Sequence, residues 1–126
     1  RQRSDKTLEL LGISALRDRQ AQRLSGGEKR MAALATVLAM EPKLLLLDEP
    51  TAFLDPKARR RLITVMQQLP QTMLVATHDL TFALETCQRC VVLTKGALFA
   101  DGASKELLFD EKTMEDGGVE AIGIYA

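Results

Sequence analysis

Four consecutive leucines, Leu44 to Leu47, run straight into Asp48, Glu49 and Pro50. An unbroken apolar run that ends in two acids and a proline reads as a strand covered on both faces. Two further apolar runs, Met73 to Ala76 and Val91 to Leu93, follow at intervals filled by helical patterns. Met31, Leu34, Ala35, Leu38 and Ala39 recur at helical spacing after Ser25, and Pro42 ends that helix. Leu62, Val65, Met66 and Leu69 form the buried stripe of another helix, which Asp55 caps and Pro56 opens. Strand, helix, strand, helix, strand is an α/β layout, and its crossovers favour a mostly parallel sheet with flanking helices.

The flanks are read the same way. Ser4 is expected to cap a short helix carrying Leu8 and Leu11, with Gly12 as its stop. A polar link from Arg17 to Arg23 leads to Ser25-Gly26-Gly27. Asp79 and the residues after it, to about Thr86, make a short helix. A Lys95-Gly96 turn leads into a strand near Ala97 to Ala100, and Ser104 is expected to cap a helix containing Leu107, Leu108 and Phe109. The tail from Glu115 is glycine-rich and weakly patterned.

Charge narrows the function. Seventeen basic and seventeen acidic side chains cancel, which argues against a general nucleic-acid binder. No apolar run approaches the ~20 residues needed to cross a bilayer, so no direct membrane insertion is expected. Cys87 and Cys90 form a lone Cys-x-x-Cys in a chain with one histidine, too few ligands for a zinc site. They read as small buried hydrophobes. The basic cluster Lys57, Arg59, Arg60 and Arg61 reads as a solvated helix face.

Three features carry chemistry. Asp48 and Glu49 stand at the carboxyl end of a buried strand, the edge where open α/β sheets bind ligands. An aspartate there can hold Mg²⁺, and the neighbouring glutamate can orient or deprotonate an attacking water. His78 ends the next strand at the same edge, within reach of the same terminal phosphate if the strands are close neighbours. Ser25-Gly26-Gly27 opens a helix, where unpaired N–H groups and the dipole favour an anion and the glycines permit its close approach.

Taken together, Leu24-Ser25-Gly26-Gly27-Glu28, then Leu44 to Thr51, then Leu54-Asp55-Pro56, then Thr77-His78-Asp79 resemble the ATP-binding cassette ATPases of ABC transporters. The match in order and spacing runs from about residue 20 to residue 80. The resemblance implies a partial P-loop NTPase fold, the C-terminal portion of a cassette. It makes Leu24 to Glu28 the signature motif and Leu44 to Asp48 the Walker B strand, with Asp48 on Mg²⁺. It makes Glu49 the catalytic base, Ala52 to Asp55 the D-loop and His78 the switch histidine. ATP and Mg²⁺ are the implied cofactors. In that family two cassettes, alike or different, pair head to tail, so that the signature of one covers the ATP held by the phosphate loop of the other. Membrane-spanning transporter subunits are the further implied partners, which puts the protein in the cytoplasm, peripheral on the inner face of the cell membrane. The wording Leu-Ser-Gly-Gly-Glu-Lys, Val-Leu-Ala-Met and Asp-Gly-Ala-Ser-Lys-Glu-Leu-Leu is most similar to cassettes of cobalt/nickel or energy-coupling-factor importers.

The resemblance has gaps. A phosphate loop needs Gly-x-x-x-x-Gly-Lys-Ser/Thr, and neither Lys6-Thr7 nor Lys112-Thr113 is preceded by glycine. Met31 stands where many relatives carry arginine, and Phe53 where the D-loop usually has a small residue. The first residue is Arg1, and the chain is expected to begin mid-domain. The expected division is a signature-bearing helical part to about residue 42, a sheet core from about 43 to 102, and C-terminal helices and tail from about 103 to 126. Alone, such a chain is expected to be inactive. A non-transport cassette protein and a non-catalytic half-cassette used for dimerisation or regulation are the alternative readings.

Overall fold

A computed structural model describes residues 2–119, and every side chain among them except those of residues 2, 3 and 21. The described chain divides between Ala76 and Thr77 into two compact units.

The first unit holds α1 (Gln2–Leu10), α2 (Gly26–Leu38), β1 (Leu44–Asp48), α3 (Pro56–Gln68) and β2 (Thr72–Ala76), with short 3₁₀ turns at Ser14–Leu16 and Ala21–Arg23. α1 begins before Ser4, so Ser4 lies inside its first turn and does not cap it. Gly12 stops the helix as expected, at φ +65°. A side chain there would collide with Arg61, whose guanidinium lies 1.9 Å from where a Cβ would stand. Arg61 donates to the Glu9 carbonyl at 3.2 Å, satisfying a backbone oxygen in the last turn of α1. One member of the basic cluster thus ties α3 to α1 and does not merely face solvent. α3 starts as the sequence indicates: Asp55 accepts from the Ala58 N–H at 2.8 Å, and Pro56 occupies the first turn.

β1 and β2 are adjacent and parallel, with Leu45 opposite Met73 and Asp48 opposite Ala76. Parallel pairing brings the carboxyl ends of both strands to one edge. The core of this unit is Leu11, Met31, Ala35, Leu38, Leu45 and Val65. The expectation of strands covered on both faces is corrected here. Leu45 is 1% exposed, whereas Leu46 is 69% and its strand partner Leu74 66% exposed. α1, α2 and α3 supply core residues for one side of the pair, while the alternate side chains of β1 and β2 point away from that core.

The second unit holds α4 (Leu80–Thr86), β3 (Arg89–Thr94), β4 (Ala97–Ala103), α5 (Ser104–Leu107) and α6 (Glu111–Asp116). β3 and β4 form an antiparallel hairpin, closed by Lys95 and Gly96, both at positive φ (52° and 78°) as a tight two-residue turn of matching twist demands. The Asp101 carboxylate accepts both guanidinium bonds of Arg89, at 2.7 and 2.5 Å, which holds it below the usual carboxylate range. Ser104 is buried as the first residue of α5 and Ala103 takes the cap position, so the expected serine cap is also corrected. α6 is the second of the C-terminal helices. Asp110 caps it, accepting from the Thr113 N–H at 3.1 Å and its hydroxyl at 2.7 Å. Ala83, Val92, Leu107, Leu108 and Met114 form the core of this unit. Cys87 and Cys90 are unbridged and half-buried, and burial pushes the Cys90 thiol up. Residues 120–126 of the expected tail lie outside the described residues.

Candidate functional site

Ser25 caps α2 through a reciprocal pair of bonds. Its hydroxyl accepts from the Glu28 N–H at 3.2 Å, and the Glu28 carboxylate accepts from the Ser25 N–H at 2.8 Å. Gly26 and Gly27 are the first residues of the helix, where N–H groups have no acceptor within the helix. Glu28 is therefore a capping group as well as part of the motif. Its carboxyl is held below the usual range, first by the Ser25 backbone N–H and hydroxyl, then by Arg19 at 3.6 Å. The Ser-x-x-Glu spacing carries this signal in the sequence.

Gly27 has a second reason to be glycine. A Cβ there would stand 3.0 Å from the Phe53 carbonyl oxygen and 3.6 Å from the Leu54 side chain. The turn after Pro50 thus packs its backbone directly on the start of α2. Phe53 itself is 83% exposed at φ +64°. Ser25, Gly26, Gly27, Glu28, Phe53 and Asp55, with Ile13, Met31 and Ala58, line an open cleft of about 410 Å³. Its rim offers the helix N-terminus, a hydroxyl and an exposed ring, a set suited to phosphate oxygens and a flat base. Leu24, half-buried, immediately precedes the cap.

The acidic pair lies elsewhere, at the carboxyl edge of the β1–β2 sheet. Neither acid is among the residues lining the cleft. Asp48 ends β1 and is exposed. Glu49 follows at φ +43°, in the left-handed region that a residue with a side chain seldom adopts. Its N–H donates to the Ala76 carbonyl at 2.8 Å and its carbonyl accepts from the Ala52 N–H at 3.1 Å. The turn, more than strand alternation, sets where Glu49 points. Arg30, a residue the sequence reasoning passed over, donates to the carbonyls of both Asp48, at 2.6 Å, and Glu49. Nothing local in the sequence marks that contact, which spans eighteen positions.

His78 belongs to the second unit and is exposed. It lies in the turn before α4, which is held by the Asp79 N–H donating to the Thr77 hydroxyl at 3.0 Å and by Asp79 accepting from the Phe82 N–H at 2.9 Å. In the chain it stands two positions beyond Ala76.

The residues fit Mg²⁺ in one respect. Among the described residues no three His, Cys, Asp or Glu side chains converge as a ready cage. An exposed carboxylate at a sheet edge suits an ion that keeps several waters and takes substrate phosphates as its other ligands.

The capping pair makes a quantitative prediction. Ser25→Ala lowers stability by about 1 kcal/mol in urea unfolding at neutral pH. Ionised Glu28 accepts the cap bond, so its folded pKa lies below its unfolded one. Its contribution is present above the unfolded value near ~4 and is lost as pH falls through the folded value. The Tm difference between the native chain and Ser25→Ala is expected to shrink on acidification, and one that grows below about pH 4 would contradict the assignment.

Comparisons with known proteins bear on this geometry. A family model described as "AAA domain, putative AbiEii toxin, Type IV TA system" matches residues 1–85. A curated relative from Synechocystis, named a putative ABC transporter ATP-binding protein, is 50% identical over 94% of this chain and 42% of its own length. The cobalt import ATP-binding protein CbiO of Rhodobacter capsulatus is 40% identical over 94% of this chain and 44% of its own. The energy-coupling factor transporter ATP-binding protein EcfA of Carboxydothermus hydrogenoformans is 38% identical over 94% and 45%. Among solved structures, cbiO1 from Clostridium perfringens, part of the ABC transporter complex cbiONQ, superposes with a TM-score of 0.75 at 34% identity, over 91% of this chain and 47% of that one. The chain spans less than half the length of each of these proteins. It belongs to the AAA domain family of that model, and its fold is that of the ATP-binding cassettes it matches, of which it forms about half.

Proposed function

We propose that these residues are the C-terminal half of the ATPase subunit of an ABC transporter, which couples MgATP binding and hydrolysis to transport across a membrane. The observation that carries the reading is the parallel register setting Asp48 opposite Ala76, which brings the ends of β1 and β2 to one sheet edge with the Asp48-Glu49 turn upon it. Asp48 would hold Mg²⁺, which when bound would supply charge neutralisation for the phosphate oxygens during phosphoryl transfer. Glu49 takes the proton of the attacking water, and His78, two residues past β2, donates to the terminal phosphate.

The start of α2 serves a different nucleotide. Ser25, Gly26 and Gly27, flanked by Leu24, Glu28 and Asp55, present their donors to ATP held by a second cassette, alike or different. The separation of the cleft from the acidic pair supports this division of labour. The exposed Phe53 ring sits on the same rim, suited to bury itself against that partner. The three functional parts meet near residues 42 and 102. Membrane-spanning subunits are the remaining partners, and among the described residues no helix is long and apolar enough to cross a membrane. A transition-metal ion or a vitamin is the proposed cargo, and the similarity to a cobalt import protein supports the first. The working place is the cytoplasmic face of the cell membrane.

These 126 residues contain no Gly-x-x-x-x-Gly-Lys-Ser/Thr, so the isolated polypeptide is expected to bind MgATP no more tightly than ~1 mM and not to hydrolyse it. Isothermal titration checks this, and micromolar affinity would refute it. Joined to the half of the Synechocystis relative that it does not match, the chain is expected to hydrolyse MgATP. A folded but inactive fusion would refute the ATPase reading.

A further inference from the structure

We propose that Arg30 is a positioning residue for Glu49, an inference that rests on Glu49 being the general base. Arg30 lies just past the first turn of α2, and its guanidinium is shared between the carbonyls of Asp48 and Glu49. Those two oxygens bracket the Glu49 residue, whose φ of +43° is among the few positive values at non-glycine positions in the described chain. The Glu49 N–H is tied to β2 through Ala76, and its carbonyl is tied to the following turn through Ala52. Arg30 adds the helix as a third anchor.

A backbone held in a sparsely populated conformation returns to a commoner one unless its surroundings oppose the change. Rotation of the peptides on either side of Glu49 is the obvious escape, and it would swing these two carbonyls away from the guanidinium. A charged donor that engages both resists that rotation and so fixes the direction in which the carboxylate leaves the chain. Anchoring α2 to the sheet does not require this arginine. Met31, Ala35 and Leu38 already pack the helix into the core that holds Leu45.

The test uses the fusion of this chain with the complementary half of the Synechocystis relative, with Arg30→Met, Arg30→Lys, Glu49→Gln and the Arg30→Met/Glu49→Gln pair. Single-turnover hydrolysis at saturating MgATP is read beside MgATP affinity and Tm. Arg30→Met is expected to slow hydrolysis by about tenfold or more, with affinity within about threefold of the parent. Arg30→Lys, a single point donor, is expected to fall between, and it carries the comparison if Arg30→Met does not fold. The pair is expected to be no slower than Glu49→Gln alone, because Arg30 acts through that side chain. A pair slower than Glu49→Gln by the full Arg30→Met factor, or an Arg30→Met rate equal to the parent's, would overturn the proposal. A Glu49→Gln fusion as fast as the parent would instead remove the general-base reading on which the proposal stands.

Discussion

Glu49→Gln is expected to lower MgATP hydrolysis by the completed cassette about 10²- to 10⁴-fold, the range general-base catalysis contributes. Glutamine keeps the size of the side chain and its ability to hydrogen-bond a water, but it cannot accept a proton. The backbone penalty at φ +43° is the same for both residues, since each carries a Cβ. Stability and nucleotide affinity are therefore expected to stay near the parent, and the loss falls on the chemical step. Pre-steady-state measurement at saturating MgATP reads that step directly. A loss of less than about tenfold would assign proton transfer to some other group.

Leu45→Ala is expected to destabilise the chain by about 2–5 kcal/mol, while Leu46→Ala stays within about 0.5 kcal/mol. The two residues are adjacent and chemically identical, and only their burial differs, 1% against 69% exposure. Leu45 packs in the core formed with Leu11, Met31, Ala35, Leu38 and Val65, so truncation loses transfer energy and leaves a cavity. Leu46 loses little, because its face of the strand is solvated within the described chain. Equal effects of the two substitutions in urea unfolding would mean that both faces of β1 are covered in solution.

That pair also shows what the sequence can and cannot reveal. Capping and periodicity are local, and they read well. The Asp55-Pro56 start of α3, the span of α2 and the stop at Gly12 lie where the pattern indicates. α4 also falls where it is read, though Asp79 caps it and does not begin it. Ser4 and Ser104 show the limit of the same rule. Each is a serine near a helix start, but chain geometry puts one inside the first turn and the other in the core. Exposure of Leu46 and Leu74 was not legible, because an apolar run specifies a strand and does not say which chain covers each face.

The candidate site divides along the same line. The order of Ser25-Gly26-Gly27, Asp48-Glu49 and His78 is written in the chain, and the parallel pairing of β1 with β2 followed from the α/β layout. The positive φ at Glu49 was not written anywhere, since it arises from a turn fixed by β2 and α2. Arg30 was passed over, and Arg61 was read only as part of a solvated face, for a related reason. Each reaches backbone oxygens far along the chain, eighteen and fifty-two positions away, and a guanidinium aimed at a carbonyl leaves no pattern in the sequence.

The central claim is that Asp48, Glu49 and His78 serve one terminal phosphate. A crystal structure of the completed cassette as its Glu49→Gln variant with MgATP tests it most directly. The account predicts Asp48 on the metal ion directly or through one water, and the residue 49 side chain and the His78 imidazole each within about 3.2 Å of the terminal phosphate or the water in line with it. An imidazole on the opposite rim of the sheet, or a phosphate bound away from the Asp48-Glu49 turn, would contradict it.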